Sequence, residues 1–303
     1  MSGRLFALGP DGVPGEPEAP PESTEAAPHG PLRRVVLLVA YDGTLFHGFA
    51  AQRQPEVETV AGALARALGR VVGGEVALTC AGRTDKGVHA SGPVVHADLP
   101  AEAVEGLVAR SGGPELVGLA RSLTAQCGPG IVVARALVAP PGFDARHSAC
   151  ARRYRYDLLR SAAPDPLARL TTWHVPGELD LAAMRIATDG LLGEHDFSAF
   201  CRRPPGAEGP LTRRVVDASW SPREDGRLLS FEIEANAFCH QMVRSIVGNL
   251  VEVGQGRRTA ADVVALLRSR SRAGSAAPAP PEGLRLVLVR YPEELVEGGV
   301  LSC

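Results

Sequence analysis

Along the chain the apolar residues change period several times, and each change marks an element. Residues 34–41, RVVLLVAY, are apolar and β-branched without a polar interruption, which predicts a buried strand. Residues 60–71 carry apolar side chains at helical spacing behind Thr59, a suitable N-cap. Residues 75–79 and 93–99 read as strands. Residues 101–123 read as helix with an interruption at 112–114, and 131–138 read as strand. Downstream come a strand at 153–159 and a helix at 181–192 capped by Asp180. Strands at 214–220 and 227–235 follow, joined through Asp225-Gly226 as a hairpin. Helices at 238–253 and 260–267 and a strand at 284–290 close the series.

Helices packed on a mostly antiparallel sheet, twice over, give the α+β class. The pattern divides into an N-terminal half, 32–141, and a C-terminal half, 142–292, with the turn at Pro140-Pro141-Gly142 as boundary. Residues 1–31 are rich in Pro, Gly, Glu and Ala without a period and read as a disordered extension. Residues 293–303 form an acidic tail, and the Ala-, Pro- and Gly-rich stretch 273–283 reads as a loop.

Composition narrows the setting. No apolar run approaches a bilayer span, and the N-terminus lacks a basic-then-apolar leader pattern, so a cytoplasmic protein is expected. The six cysteines are scattered with no Cys-x-x-Cys pair, which argues against a zinc site and a disulfide framework. Net charge is −2, but it is unevenly spread. The first 31 residues hold −4 and the last eleven −3, leaving +5 on the body between them. That charge is nearly all arginine, often in pairs such as Arg152-Arg153 and Arg213-Arg214. Arginine pairs permit a nucleic-acid partner without requiring one.

Three stretches concentrate chemistry. The first is CAGRTDKGVHASG, residues 80–92, between the two predicted strands that flank it. Gly82 and Gly87 bracket Arg83, Thr84, Asp85 and the chain's only lysine, Lys86. Glycines let a backbone turn sharply and approach a ligand, and a loop on a rigid scaffold is a usual place for catalysis. An ordinary turn, with Asp85 bonding its own backbone, fits the same spacing. The second stretch places Arg244 among Met242, Val243, Ile246 and Val247, with no carboxylate four residues away in its helix. Such a guanidinium either seeks a distant carboxylate or snorkels to solvent. The third is Arg152-Arg153-Tyr154-Arg155-Tyr156, where aromatics alternate with arginine as in RNA binders, or as along an edge strand with one polar face.

At these places the sequence resembles the tRNA pseudouridine synthase A family. The resemblance runs from about residue 34 to 292, through YDGT at 41–44, GRTDKGVH at 82–89 and RYRY at 153–156. It continues through LGEHDF at 192–197, NAF at 236–238, MVRSIVG at 242–248 and EGLRL at 282–286. Phe49 stands where the family usually has tryptophan. The resemblance implies a mixed sheet built from two related α+β halves around a central cleft. It implies an isomerase that turns uridine into pseudouridine at tRNA positions 38 to 40, in the anticodon stem-loop. Asp85 is then the catalytic residue, Tyr154 stacks on the flipped base, and Arg244 pairs with Asp85. Leu286 walls the pocket, Arg83 holds or replaces the flipped nucleotide, and His89 and Arg153 complete the substrate contacts. Neither metal nor cofactor is required, and the family acts as a homodimer. Two rivals remain at this point. A non-catalytic RNA-binding or tRNA-folding protein would use the same arginines without Asp85. A glycosidase would usually need two facing carboxylates, and no second motif carboxylate accompanies Asp85.

Overall fold

Strand β1, Leu32–Tyr41, runs through the middle of the N-terminal sheet, which is why its apolar run has no alternation. Val35, Val36, Leu37 and Val39 are fully buried. Its neighbours are β4 (Val94–Pro100) on one side and β5 (Ile131–Val138) on the other, both antiparallel. The computed structural model describes residues 30–295, apart from 53, 55, 204, 205, 207, 224 and 225. The extension at 1–29, the tail from 296 and Asp225 of the hairpin turn lie outside the described residues.

The remaining strands are β2 (Thr79–Cys80), β3 (His89–Ala90), β6 (Ala151–Leu159), β7 (Trp173–His174), β8 (Gly193–Asp196), β9 (Thr212–Arg223), β10 (Leu228–Ala235) and β11 (Leu284–Arg290). They join into one sheet in the order β2-β4-β1-β3-β11-β6-β10-β9-β8, with β5 against β1 and β7 against β6. The joint between the two ends of this sheet is β3. Its Ala90 pairs with Tyr41 of β1 on one side and with Leu286 of β11 on the other. The loop 81–88 leads straight into that joint.

Among the described residues six helices cover the sheet: α1 (Val60–Val72), α2 (Ala101–Ser111), α3 (Val117–Cys127), α4 (Leu181–Asp189), α5 (Met242–Gly254) and α6 (Ala260–Ser269). The cap predictions hold. The Thr59 side chain accepts from Gly62 N, and that of Asp180 from Ala183 N. Helix α5 is buried nearly all round, including Ile246, Val247 and Leu250. Burying each such side chain contributes roughly 1.5–3 kcal/mol.

Several expectations shift. The predicted helix from 238 begins only at Met242, because Gln241 is left-handed at φ 64° and ψ 5°. Helix α4 stops at Asp189 rather than 192, and β2 is far shorter than 75–79. The 273–283 loop is not loosely attached: Ala279 is buried, and its N–H donates to the Arg244 carbonyl at 2.9 Å. A side-chain carbon at Gly248 would stand 2.2 Å from Ala277 O, so that loop lies hard against α5. Cys201 and Cys239 lie side by side, with Cα atoms 5.8 Å apart. Their 38-residue separation hides that proximity from the sequence.

Candidate active site

The loop after β2 is pinned from three directions. Ala81 N donates to Val94 O at 2.9 Å, Phe49 N donates to Thr84 O at 3.1 Å, and the Tyr41 and Thr84 hydroxyls share a buried hydrogen bond of 2.7 Å. The tight return is made at Gly87, φ 81°, where Val88 N reaches back to Asp85 O. Gly82 needs no such φ. A carbon added there would meet Leu286 Cδ2 and the Tyr154 hydroxyl at 3.6 Å, so its smallness keeps space above those side chains.

Asp85 therefore projects from a fixed loop into a cleft of about 1020 Å³. The cleft draws Asp85 and Arg83 from one side of residues 140–142, and Tyr154, Phe238, His240 and Arg244 from the other. Arg244 Nη1 stands 3.5 Å from Asp85 Oδ2, while its Nε donates to Ala279 O at 2.7 Å. The guanidinium is only 15% exposed and the carboxylate 31%. The arginine on an apolar helix thus reaches a carboxylate 159 residues away, at the long end of hydrogen-bond range. His240 Nε2 lies 3.3 Å from the other oxygen, Asp85 Oδ1.

Tyr154 is almost wholly buried and meets Phe238 edge-on, with ring centroids 4.9 Å apart. Burial pushes its phenol well above the ordinary tyrosine range, which keeps it neutral and a hydrogen-bond donor. Leu286 pairs with Tyr154 across β11 and β6 and is fully buried beneath Gly82; Leu284 is the β11 residue that reaches the cleft wall.

Two expected substrate contacts sit elsewhere. Arg153 is on the opposite face of β6 from Tyr154, because successive strand residues alternate sides. There its guanidinium is held by Glu234 at 2.7 Å, with Glu232 and Asp217 nearby. His89 is buried behind the loop, with Nδ1 3.2 Å from Gly43 N and Nε2 2.8 Å from Leu170 O. Both are engaged in holding the fold.

Other arginines, given no site role from the sequence, also reach the cleft. Arg152, on the face of Tyr154, donates to the carbonyls of Ala81, Arg146, Ala149 and Asn236, tying the loop to β6 and to the segment before α5. Burial is the first cause that lowers its pKa. Arg146 and Arg213 line the cleft, so among the described residues its lining carries five arginines (83, 146, 152, 213 and 244) against the one carboxylate of Asp85. Position parity along strands would have separated Arg152 from Arg153 once the cleft face was known.

Comparison with known proteins places the chain in a family. A family model described as tRNA pseudouridine synthase matches residues 187–292. A tRNA pseudouridine synthase A of Leifsonia xyli subsp. xyli is 45% identical over 271 residues, covering 86% of this chain and 92% of its own. One from Frankia casuarinae is 43% identical over 265 residues, covering 87% and 91%. One from Mycobacterium leprae is 41% identical over 277 residues, covering 89% and 94%. At that identity, over nearly the full length of each relative, the chain belongs to the tRNA pseudouridine synthase A family.

Proposed function

We propose that this chain is an isomerase that converts uridine to pseudouridine in the anticodon stem-loop of tRNA, at positions 38 to 40, with Asp85 as its catalytic residue. The observation that carries the reading is the placement of Asp85: one carboxylate on a pinned loop, facing a guanidinium and a buried tyrosine in an arginine-lined cleft.

The reaction breaks the N1–C1′ bond, turns the base and joins C5 to C1′. C5 loses a proton and N1 gains one, so atoms and charge balance within the nucleotide. Asp85 must be ionised to attack or to accept a proton, and Arg244 supplies the counter-charge beside it. The uridine must leave its stack, which costs a few kcal/mol and less in a loop than in a duplex. Tyr154 offers an aromatic platform for the extracted base. Arg83, Arg146 and Arg213 line the cleft and are proposed to meet phosphates, whereas Arg152 spends its donors on backbone carbonyls.

We read the segments 32–141 and 142–292 as two α+β halves that each give one wall of the cleft. The protein is proposed to act in the cytoplasm as a homodimer; among the described residues no helix is long and apolar enough to cross a membrane. Light scattering at about twice 31.7 kDa would support the dimer, and a monomer mass would refute it. The function itself is tested by incubating the purified chain with unmodified tRNA transcripts and mapping pseudouridine. Modification at 38, 39 or 40 is expected. Binding without modification would favour the RNA-binding reading, and modification confined to other positions would refute the assigned site.

A further inference from the structure

Asp85 has a side-chain nitrogen near each oxygen. Arg244 Nη1 stands 3.5 Å from Oδ2, and His240 Nε2 stands 3.3 Å from Oδ1. Only three residues separate these donors in the chain, yet each is anchored separately. Arg244 is held by its Nε bond to Ala279 O. The His240 carbonyl accepts from Arg202 N at 2.9 Å, and the preceding Cys239 lies beside Cys201, with Cα atoms 5.8 Å apart. Between the donors sits Gln241 in the left-handed region, where a side chain costs about 1–2 kcal/mol. That residue ends the segment carrying His240 and starts α5 afresh, so the imidazole is aimed independently of the helix. Backbone strain of this kind collects where a side chain must be presented in one orientation.

A single donor would leave the carboxylate loose. The terminal torsion of an aspartate is broad and roughly two-fold, so a bond to one oxygen does not fix the plane of the group. A second donor on the other oxygen does. We propose that His240 is a positioning residue: Nε2–H donates to Asp85 Oδ1 and, together with Arg244, fixes the rotation of the carboxylate that faces the uridine. The inference rests on the reading of Asp85 as the reacting carboxylate. Its chemical basis is alignment, where displacement of about 1 Å can cost on the order of 100-fold in rate.

The test compares His240→Ala, His240→Gln and His240→Asn with wild type and with Asp85→Asn. It measures kcat and KM on a tRNA transcript together with thermal unfolding. A glutamine amide nitrogen can take the place of Nε2, whereas the shorter asparagine amide cannot reach it. His240→Ala should lower kcat about 10- to 100-fold with KM within threefold, and His240→Gln should recover most of that loss while His240→Asn does not. The imidazole is 44% exposed, so the melting temperature should barely move. Unchanged kcat in His240→Ala, a change confined to KM, or equal behaviour of the Gln and Asn variants would overturn the proposal. If His240→Ala does not fold, the Gln–Asn comparison decides alone. An active Asp85→Asn would instead sink the reading of Asp85. A dead Asp85→Asn beside an unimpaired His240→Ala would sink only the role given to His240.

Discussion

Arg244 shows what one residue must satisfy. Its Nε serves the Ala279 carbonyl and its Nη1 serves Asp85, two jobs that need a forked guanidinium. Arg244→Ala should lower kcat about 100-fold or more, and should also lower the melting temperature, because it leaves a carbonyl and a carboxylate without their donor. Arg244→Lys should rescue little, since one ammonium cannot hold both partners. Full activity in either variant would remove Arg244 from the account. The residues alone left Arg244 either seeking a distant carboxylate or snorkelling to solvent, and only the family resemblance named Asp85 as its partner. The place of His240 was not, because the helix period runs on through it and nothing local marks Gln241 as left-handed. The strand predicted at 153–159 left Arg152 outside it and did not say which face of the strand meets the cleft.

At the scale of elements, the 81–88 loop depends on close backbone contact. A side-chain carbon at Gly43 would stand 2.1 Å from Val88 O, three residues beyond Asp85. Gly43→Ala should therefore displace the loop, lowering stability by about 1–3 kcal/mol and reducing kcat as well. Gly118→Ala, in α3 with nothing near the added carbon, should be neutral or slightly stabilising. Denaturant melts and turnover on the two variants check the contrast, and equal behaviour would contradict it. Elements specified by their own residues were legible: β1, α1, β5 and β11 lie where apolar period and caps place them. The two-residue strands β3 and β7 were not, because only pairing with distant strands holds them. The 273–283 stretch is a loop, as its composition predicts, but its close attachment was not legible. Its composition resembles a linker, but Gly248 and Arg244 supply a seat that composition does not encode.

For the whole molecule, the sheet face away from Tyr154 is tied by ion pairs across β6, β10 and β11. Glu234 lies between Arg153 and Arg290, both at 2.7 Å. Burial works against its ionisation, but hydrogen bonds from Arg290 and Arg153 outweigh it and hold the carboxyl below its ordinary range. A carboxylate whose folded pKa is depressed stabilises the fold above its unfolded pKa, near 4.3, and loses that contribution as pH falls through the folded value. Glu234→Gln should therefore be less stable than wild type by about 1–3 kcal/mol at pH 7, with the gap closing below about pH 4. Urea titrations across that range check it; a gap that persists at low pH would show that packing, not charge, is at work. What ties the two ends of the sheet to function is the loop at their joint, and Asp85 in it. The most direct measurement is Asp85→Asn on unmodified tRNA transcript, scored for both pseudouridine and tRNA affinity. The account predicts no detectable pseudouridine with affinity within a few-fold of wild type, because the cleft arginines bind phosphate while Asp85 does the chemistry. Turnover near the wild-type rate would contradict it.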